Sequence, residues 1–308
     1  MTTIAPTGVQ HVIAADGYEA VVTEVGAGLR ALTFEDRPLI VDYPKDRQPP
    51  GSAGVLLLPW PNRVDGGRYT FDGQERQLAL TEPKYMNAAH GFTRTLPWRL
   101  VSGDKASVTL GLRLFPQAGY PHILDLTVTY ALGASGLRGA LTAANAGGTD
   151  APYGFGAHPY LTVGEPLESA VLELPAGRWL QVDERKIPVG GSDVEGTAYD
   201  FRTARPIDDL ALDTPFTDLT REKDGLVHVR LTTADGSRGV ELWAGEGVPW
   251  LQLFTGDSLT GPYRRAGLAV EPMSCPPNAF GTGEDVIRLG PGDQVTHHWG
   301  IAALRPAL

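Results

Sequence analysis

The sequence predicts an all-β protein, a large antiparallel β-sandwich, on the strength of three observations. Apolar residues recur at every second position in three long segments, 108–114, 124–132 and 295–303, which is the spacing of a strand with one buried face. The 38 glycines and 25 prolines among the 308 residues are spread along the chain without a period, which indicates many turns. No 12-residue window keeps a helical apolar pattern free of glycine and proline, so no extended helix is predicted.

Shorter strand-like runs lie between the long ones. They are 20–24, 29–34, 68–71, 227–231, 240–243 and 251–254. Turn sequences such as Asp72-Gly73 and Asp235-Gly236 separate them, and many short strands between turns are typical of sandwiches. The polar stretch 190–199 is expected to be a surface loop, and one helical turn is expected near 208–210. Because no repeat, linker or change of composition is visible, residues 1–308 are predicted to form a single domain.

Composition and charge limit the classes of function. Hydrophobic residues at 42% and charged residues at 20% are typical of a soluble globular protein, and no apolar run approaches the roughly 18 residues of a membrane span. A net charge of −10 disfavours nucleic acid and anionic membranes as partners. The N-terminus lacks a secretory pattern and Cys275 is the single cysteine, so a cytoplasmic location is expected. A monomer or weak homodimer is the expected state.

Motifs that hold metals or nucleotides are missing from the sequence. There is no HExxH, no cysteine pair, no EF-hand loop and no Walker loop, so neither a metal nor another cofactor is predicted. His297 and His298 are adjacent in an alternating strand, which points their rings to opposite faces. Cys275 is expected to be an idle thiol, because no Cys-His spacing supports thiol catalysis.

Four polar residues stand in unusual local sequence. Glu271 follows an apolar run and precedes Pro272, so we expect it at a strand end next to a stiff loop. His90 and His158 are flanked by glycine, proline or aromatic residues, a context that lets a ligand approach closely. Arg63 follows a proline-rich segment. Histidine titrates near neutral pH and a tuned glutamate can act as its complement, so the set suits a reaction made only of proton transfers, such as opening and reclosing a cyclic hemiacetal.

The order of these residues resembles that of the aldose 1-epimerase (galactose mutarotase) family. The resemblance runs from about residue 55 to residue 281. It is carried by the following short motifs: Asn62-Arg63, His90-Gly91, His158-Pro159-Tyr160-Leu161 and Glu271. It implies a β-sandwich of the galactose mutarotase type with an open cleft for a small sugar, and a cofactor-independent isomerase.

The resemblance also implies roles for individual residues. Glu271 is the expected general base on the anomeric hydroxyl, and His158 the general acid on the ring oxygen. The expected sugar ligands are His90, Arg63, Asn62 and Asp213, the last in the segment Leu212-Asp213-Thr214-Pro215-Phe216. Because the usual histidine does not follow Asp213, Asp218 is the alternative aspartate.

Arg94 departs from the galactose-type pattern. Another small residue tends to follow His90-Gly91 in those enzymes, whereas here Phe92-Thr93-Arg94 follows. Arginine at this place resembles the branch that acts on hexose 6-phosphates, and it can grip an anionic group with two hydrogen bonds. A sulfonated sugar is an equivalent alternative. An internal ion pair is the preferred interpretation of Arg94.

Aromatic residues divide into two predicted groups. Trp60 and Tyr160 are expected to stack on a sugar face. The predicted core tryptophans are Trp98, Trp243, Trp250 and Trp299.

Two other functions remain open from the sequence. A glycoside hydrolase would use Glu271 and Asp213 as its carboxylate pair, roughly 5 to 9 Å apart, but it gives His158 and His90 no role. A sugar-binding module without catalysis would bind sugar and leave its mutarotation rate unchanged.

Overall fold

The structure is a computed structural model that describes residues 4–304. These residues form 25 strands, one short α-helix and four 3-10 helices. The strands are β1 (Gln10–Ala15), β2 (Tyr18–Thr23), β3 (Leu29–Phe34), β4 (Arg37–Pro38), β5 (Arg63–Asp65), β6 (Arg68–Phe71), β7 (Gln74–Gln77), β8 (Asn87–Ala89), β9 (Arg99–Gly103), β10 (Ser107–Leu114), β11 (Leu124–Gly133), β12 (Gly136–Asn145), β13 (Ala151–Tyr153), β14 (Tyr160–Leu161), β15 (Val171–Glu173), β16 (Ala176–Val182), β17 (Pro188–Asp193), β18 (Arg205–Pro206), β19 (Asp213–Leu219), β20 (Val227–Thr232), β21 (Gly239–Ala244), β22 (Trp250–Phe254), β23 (Leu268–Met273), β24 (Ile287–Leu289) and β25 (Gln294–Leu304). The helices are α1 (Ala279–Thr282) and the 3-10 helices Pro50–Ser52, Thr93–Thr95, Leu167–Ser169 and Gly261–Tyr263.

The predicted strands are confirmed, because each predicted run coincides with a strand of the structure. In β11, for example, every second side chain from Leu124 to Leu132 is buried. The prediction of a loop over 190–199 is wrong for its first part, since β17 runs from Pro188 to Asp193 and pairs with β16. β17 is an edge strand with no buried side chain, so it lacks the alternation that would have identified it.

The strands form antiparallel sheets. The larger two are a nine-stranded sheet, ordered β18-β15-β20-β21-β25-β12-β11-β10-β9, and a six-stranded sheet, ordered β14-β23-β22-β19-β16-β17. A four-stranded sheet, β1-β2-β3-β4, and three strand pairs complete the described part of the chain. One hydrophobic core takes Leu242 and Trp299 from the nine-stranded sheet and Phe216 and Leu253 from the six-stranded sheet. This is the β-sandwich that the sequence predicts.

Helical structure is sparse, and it is not where the sequence predicts it. The expected helical turn at 208–210 is a non-helical turn around Asp208 and Asp209. The one α-helix, α1, has four residues and follows Asn278, whose φ is +63°. None of the helices in residues 4–304 has the length and apolar character that crossing a membrane requires.

The strand that carries Glu271 does not end there. β23 continues through Pro272 to Met273, so the prediction of a strand end at Glu271 is wrong. The Pro272 carbonyl accepts a hydrogen bond from the Ala157 N–H, and in an antiparallel strand the nitrogen and the carbonyl of one residue face the same side. The proline nitrogen therefore faces the loop that contains Ala157, and β22 loses no hydrogen bond.

The tryptophans follow the prediction with one exception. Trp98, Trp250 and Trp299 are buried. Trp243 is only partly buried; it packs over Gly300, where a Cβ atom would lie 2.3 Å from the indole, with Arg138 over its ring. It therefore lies on the outer face of the nine-stranded sheet.

Candidate active site

A cavity of about 270 Å³ opens where the six-stranded sheet meets the loops around β5 and β8. Glu271 on β23 and Asp213 on β19 come from the sheet, whereas His158 precedes β14. The residues expected in the site that line this cavity are Asn62, Arg63, His90, Arg94, His158, Asp213 and Glu271. The structure thus brings together residues that are up to 209 positions apart in the chain (271 − 62).

Glu271 and His158 form a buried pair at the bottom of the cavity. Glu271 Oε1 lies 3.3 Å from His158 Nε2, and the two side chains are only 3% and 5% exposed. Burial raises the pKa of Glu271 well above its ordinary value, the charge of Asp213 raises this pKa further, and Arg63 opposes the rise. Burial lowers the pKa of His158 to about 4. Burial disfavours both the carboxylate of Glu271 and the imidazolium of His158. Without a substrate, the pair is therefore a neutral carboxylic acid next to a neutral imidazole, and the proton that can be transferred is on the carboxyl group.

Each member of the pair also has one polar atom that is free to form a hydrogen bond with a substrate. Within residues 4–304, Glu271 Oε2 and His158 Nδ1 are buried without a hydrogen-bond partner. A buried polar atom left unpaired costs free energy, which a bound group can recover. The ring of Tyr160 stacks on that of His158 with centroids 5.0 Å apart, and its hydroxyl donates to the Gly51 carbonyl. Tyr160 therefore packs against the imidazole of His158 and does not line the cavity. The prediction that Tyr160 stacks on a sugar is wrong.

His90 is presented to the cavity by a constrained turn. Its N–H donates to the Asn62 carbonyl and its φ is +62°. Gly91 follows with φ +64°, and a Cβ atom there would lie 1.9 Å from the Leu58 carbonyl oxygen. Burial lowers the pKa of His90 well below its ordinary value, and the neighbouring His158, Arg63 and Arg94 act in the same direction. The ring is therefore neutral, with its Nδ1 unpartnered among the described residues.

Asp213 is held by two donors that the sequence did not identify. The Gln252 side-chain amide donates to Asp213 Oδ1 at 2.8 Å, and Lys186 Nζ lies 3.3 Å from Asp213 Oδ2. Gln252 is opposite Glu271 in the register of β22 and β23. A glutamine inside the apolar run Trp250–Phe254 was the available signal, because a buried polar residue in a strand needs a partner. The alternative aspartate, Asp218, is exposed and does not line the cavity.

Arg63 is also positioned by a residue that the sequence did not identify. Its Nε and Nη2 donate to the two carboxylate oxygens of Glu82 at 2.7 and 3.0 Å. This fork geometry fixes the guanidinium plane. Glu82 and Tyr85 line the same cavity, and the Arg63 guanidinium lies 5.6 Å from the centre of the Tyr85 ring.

Arg94 lines the cavity without an ion pair. Among residues 4–304, no carboxylate lies within 4.0 Å of its guanidinium, so the preferred interpretation of an internal ion pair is wrong. Burial lowers its pKa, and the nearby Glu82 partly opposes this effect. A partly buried guanidinium without a counter-ion favours an anionic group in the cavity.

Trp60, expected to stack on a sugar, lies in the core instead. It is buried and packs against Phe92 and Phe280, with ring centroids 4.9 and 5.6 Å away, so it is not a lining residue. Cys275 is buried as well, and burial raises the pKa of its thiol to about 12, so it stays protonated. His297 is buried and His298 exposed, as their alternation predicts. In residues 4–304, no three His, Cys, Asp or Glu side chains converge in a metal-binding group.

Comparison with known proteins gives relatives in sequence and in fold. A family model described as aldose 1-epimerase matches residues 10–302. The uncharacterized protein YihR of Escherichia coli K12 is 36% identical over 282 residues, which cover 91% of this chain and 88% of YihR. The aldose 1-epimerase of the same strain is 28% identical over 246 residues, which cover 71% of this chain and 69% of that enzyme. The GalM/aldose epimerase homologue of C. elegans has a TM-score of 0.85 at 20% identity, over 96% of this chain and 99% of that one.

Proposed function

Because the chain belongs to the aldose 1-epimerase family, we propose that it interconverts the α and β anomers of a hexose by acid–base opening and closure of the ring. The observation that carries the proposal is the contact between Glu271 and His158, 3.3 Å apart and almost fully buried in one cavity. An acid and a base that share one proton are what such a reaction needs.

The two protonation states of the pair correspond to the states before and after ring opening. In ring opening, the ionised Glu271 takes the proton of the anomeric hydroxyl, the bond between C1 and the ring oxygen breaks, and protonated His158 gives its proton to the ring oxygen. The pair is then left as neutral carboxylic acid and neutral imidazole, the form that burial favours without sugar. The aldehyde turns about the C1–C2 bond and recloses by the reverse transfers.

The sugar itself helps to reach the charged form of the pair. A sugar hydroxyl that donates to Glu271 Oε2 stabilises the carboxylate, and the charge of Arg63 acts in the same direction, against the burial that raises the pKa of Glu271. Asp213, Asn62 and His90 offer acceptors and donors for the remaining hydroxyls. No cofactor takes part in these steps.

The test is polarimetry of freshly dissolved α-D-glucose and α-D-galactose. The protein should speed their relaxation above the buffer rate, and Glu271→Gln should lower that acceleration by about 10²- to 10⁴-fold, the usual contribution of a positioned proton-transfer group. A Glu271→Gln variant as fast as the parent would remove Glu271 from its role. Sugar binding without acceleration would identify a binding module, and release of the alcohol from an aryl glycoside would identify a glycoside hydrolase.

Arg94 favours a second candidate, an epimerase of an anionic hexose that carries a phosphate or sulfonate. The supporting observation is its guanidinium, which lines the cavity and has no carboxylate partner among residues 4–304. Anomer exchange measured by NMR should then be faster for glucose 6-phosphate than for glucose at equal concentration. Arg94→Met should lower the 6-phosphate rate by about tenfold or more, whereas Arg99→Met, on exposed β9, should not. Equal loss on both sugars would point to a neutral substrate.

A further inference from the structure

The turn between β16 and β17 lies next to Asp213, which lines the cavity. Hydrogen bonds within the turn fix its conformation. Asp183 Oδ1 accepts hydrogen bonds from the N–H groups of Arg185 and Ile187, both at 2.9 Å. The Lys186 N–H donates to the Asp183 carbonyl, and the φ of Lys186 is +65°. Side-chain capping of this kind fixes the path of a short turn.

Arg185 anchors this turn to the other side of the cavity. Its guanidinium donates to the carbonyls of Tyr85 and Met86 and to Asn87 Oδ1, at 3.1, 3.3 and 3.2 Å. It also lies 2.7 Å from Asp65 Oδ1, and the Asn87 side-chain amide donates back to the Arg185 carbonyl at 2.8 Å. The turn is therefore held in place by contacts in which the side chain of Lys186 has no part.

Lys186 extends from this anchored turn to Asp213. Its Nζ lies 3.3 Å from Asp213 Oδ2, with the two side chains 31% and 23% exposed. The other carboxylate oxygen is bound by Gln252 from the sheet. Lys186 from the turn and Gln252 from the sheet thus fix the orientation of the carboxylate. Within the described residues, Lys186 is the one cation within 4.0 Å of Asp213.

We propose, on the basis of the function proposed above, that Lys186 is a positioning residue of the reaction, which orients Asp213 toward the sugar hydroxyls and offsets its negative charge next to Glu271. It acts through Asp213 and need not touch the reacting atoms. A carboxylate held by two donors is preorganised for binding, which saves the cost of ordering it when the sugar arrives.

The charge of Asp213 links Lys186 to the acid–base pair. Burial has the larger effect on the pKa of Glu271 and on that of His158, and the charge of Asp213 acts to raise both. The other charged or titratable groups around the pair are Arg63, Glu82, Tyr85, His90, Arg94 and Tyr160. These groups are unchanged when Lys186 is replaced, so the loss of Lys186 leaves Asp213 less compensated and moves both pKa values upward.

The experiment compares Lys186→Met with Lys186→Arg and with Lys223→Met, an exposed lysine away from the cavity that gives the same change of net charge. Lys186→Met should raise KM about tenfold and move the pH profile of kcat/KM up by on the order of half a unit. Lys186→Arg should restore most of both effects, and Lys223→Met should resemble the parent. In Asp213→Asn, the further replacement of Lys186 should not move the profile.

The outcomes separate this inference from the proposed function. An unchanged KM and pH profile in Lys186→Met, in a protein of parental circular dichroism and melting temperature, would overturn the inference and leave the mutarotase function standing. A parent protein that binds sugar without accelerating mutarotation would overturn the function. In that case calorimetry still decides, because Lys186→Met should weaken sugar binding about tenfold and equal affinity would overturn the positioning role.

Discussion

At the scale of single residues, the turn at Gly91 determines where His90 points. The backbone there has φ +64°, and a Cβ atom would lie 1.9 Å from the Leu58 carbonyl oxygen, a backbone atom that cannot move aside cheaply. Gly91 is thus required both by its conformation and by space. Gly91 allows the backbone turn that places the His90 side chain at the wall of the cavity, which explains why the two residues occur together.

We predict that Gly91→Ala lowers the free energy of unfolding by about 3 kcal/mol and reduces mutarotation together with it. The matched control is Gly66→Ala, because Gly66 also has a positive φ, +57°, but open space where the Cβ atom would be. It should cost only about 1 kcal/mol. Urea unfolding of both variants measures the difference, and equal losses would show that the contact with Leu58 does not matter.

Sequence predicts residue types in the site better than their contacts. Glu271, His158, His90, Arg63 and Asp213 stand out because each has an unusual local sequence or a place in an ordered set. Their partners do not. Lys186 and Gln252 contact Asp213, and Glu82 contacts Arg63, only because segments distant in sequence become neighbours in the fold. The prediction that Trp60 stacks on a sugar was wrong because a tryptophan among prolines can equally well be a core residue, and Trp60 is buried.

At the scale of elements, period-two alternation identifies the strands that have one buried face and fails for the others. β10, β11 and β25 alternate and were predictable. The edge strand β17 has no buried residue, and β23 is buried on both faces and continues through a proline. These are the two kinds of strand for which a single sequence carries no period.

The pair of strands β20 and β21 contains a histidine between two carboxylates. His228 Nε2 lies 2.9 Å from Asp224 Oδ2, and its Nδ1 lies 3.0 Å from Glu241 Oε1. Burial lowers the pKa of His228, but the contacts with Glu241 and Asp224 outweigh it, so the pKa is raised. The stabilisation is therefore fully present below the unfolded pKa of about 6.5 and is lost as the pH rises through the folded pKa.

We expect His228→Gln to destabilise the protein more at about pH 6 than at about pH 9, because the imidazolium and its two ion pairs exist only at the lower pH. Urea unfolding at the two pH values measures this difference. His298→Gln, an exposed histidine on β25, is the control and should show no comparable dependence. A loss in His228→Gln that is the same at both pH values would mean that the ion pairs do not contribute.

At the scale of the whole molecule, the loop that leads to His158 in the candidate site packs against the nine-stranded sheet. Phe155, three residues before His158, is fully buried and stacks on His297 of β25 with centroids 4.7 Å apart and planes at 6°. It also contacts Trp299, and its N–H donates to Ser274 Oγ. The loop that ends at His158 is therefore attached to the core of the sandwich.

Phe155→Ala should cost about 3 to 5 kcal/mol of stability, the usual loss for a buried phenylalanine, and it should lower mutarotation in the fraction that remains folded, because His158 loses its support. Phe115→Ala is the control, since Phe115 is 60% exposed. Thermal unfolding and polarimetry on the same samples measure both effects. Full activity in folded Phe155→Ala would show that the loop holds its shape without the core contact.

The buried contact between Glu271 and His158 has a consequence for exchange with solvent. In the proposed reaction, each turnover takes one proton from the sugar and returns one to it, so the pair ends each anomerisation in the state in which it began. The two side chains therefore exchange protons only with the sugar and with each other, and no net proton is taken from or released to bulk water during a turnover. The rate of the catalysed reaction should therefore be indifferent to the concentration of external buffer, in contrast to free sugar, whose mutarotation depends on dissolved acids and bases for the same two transfers.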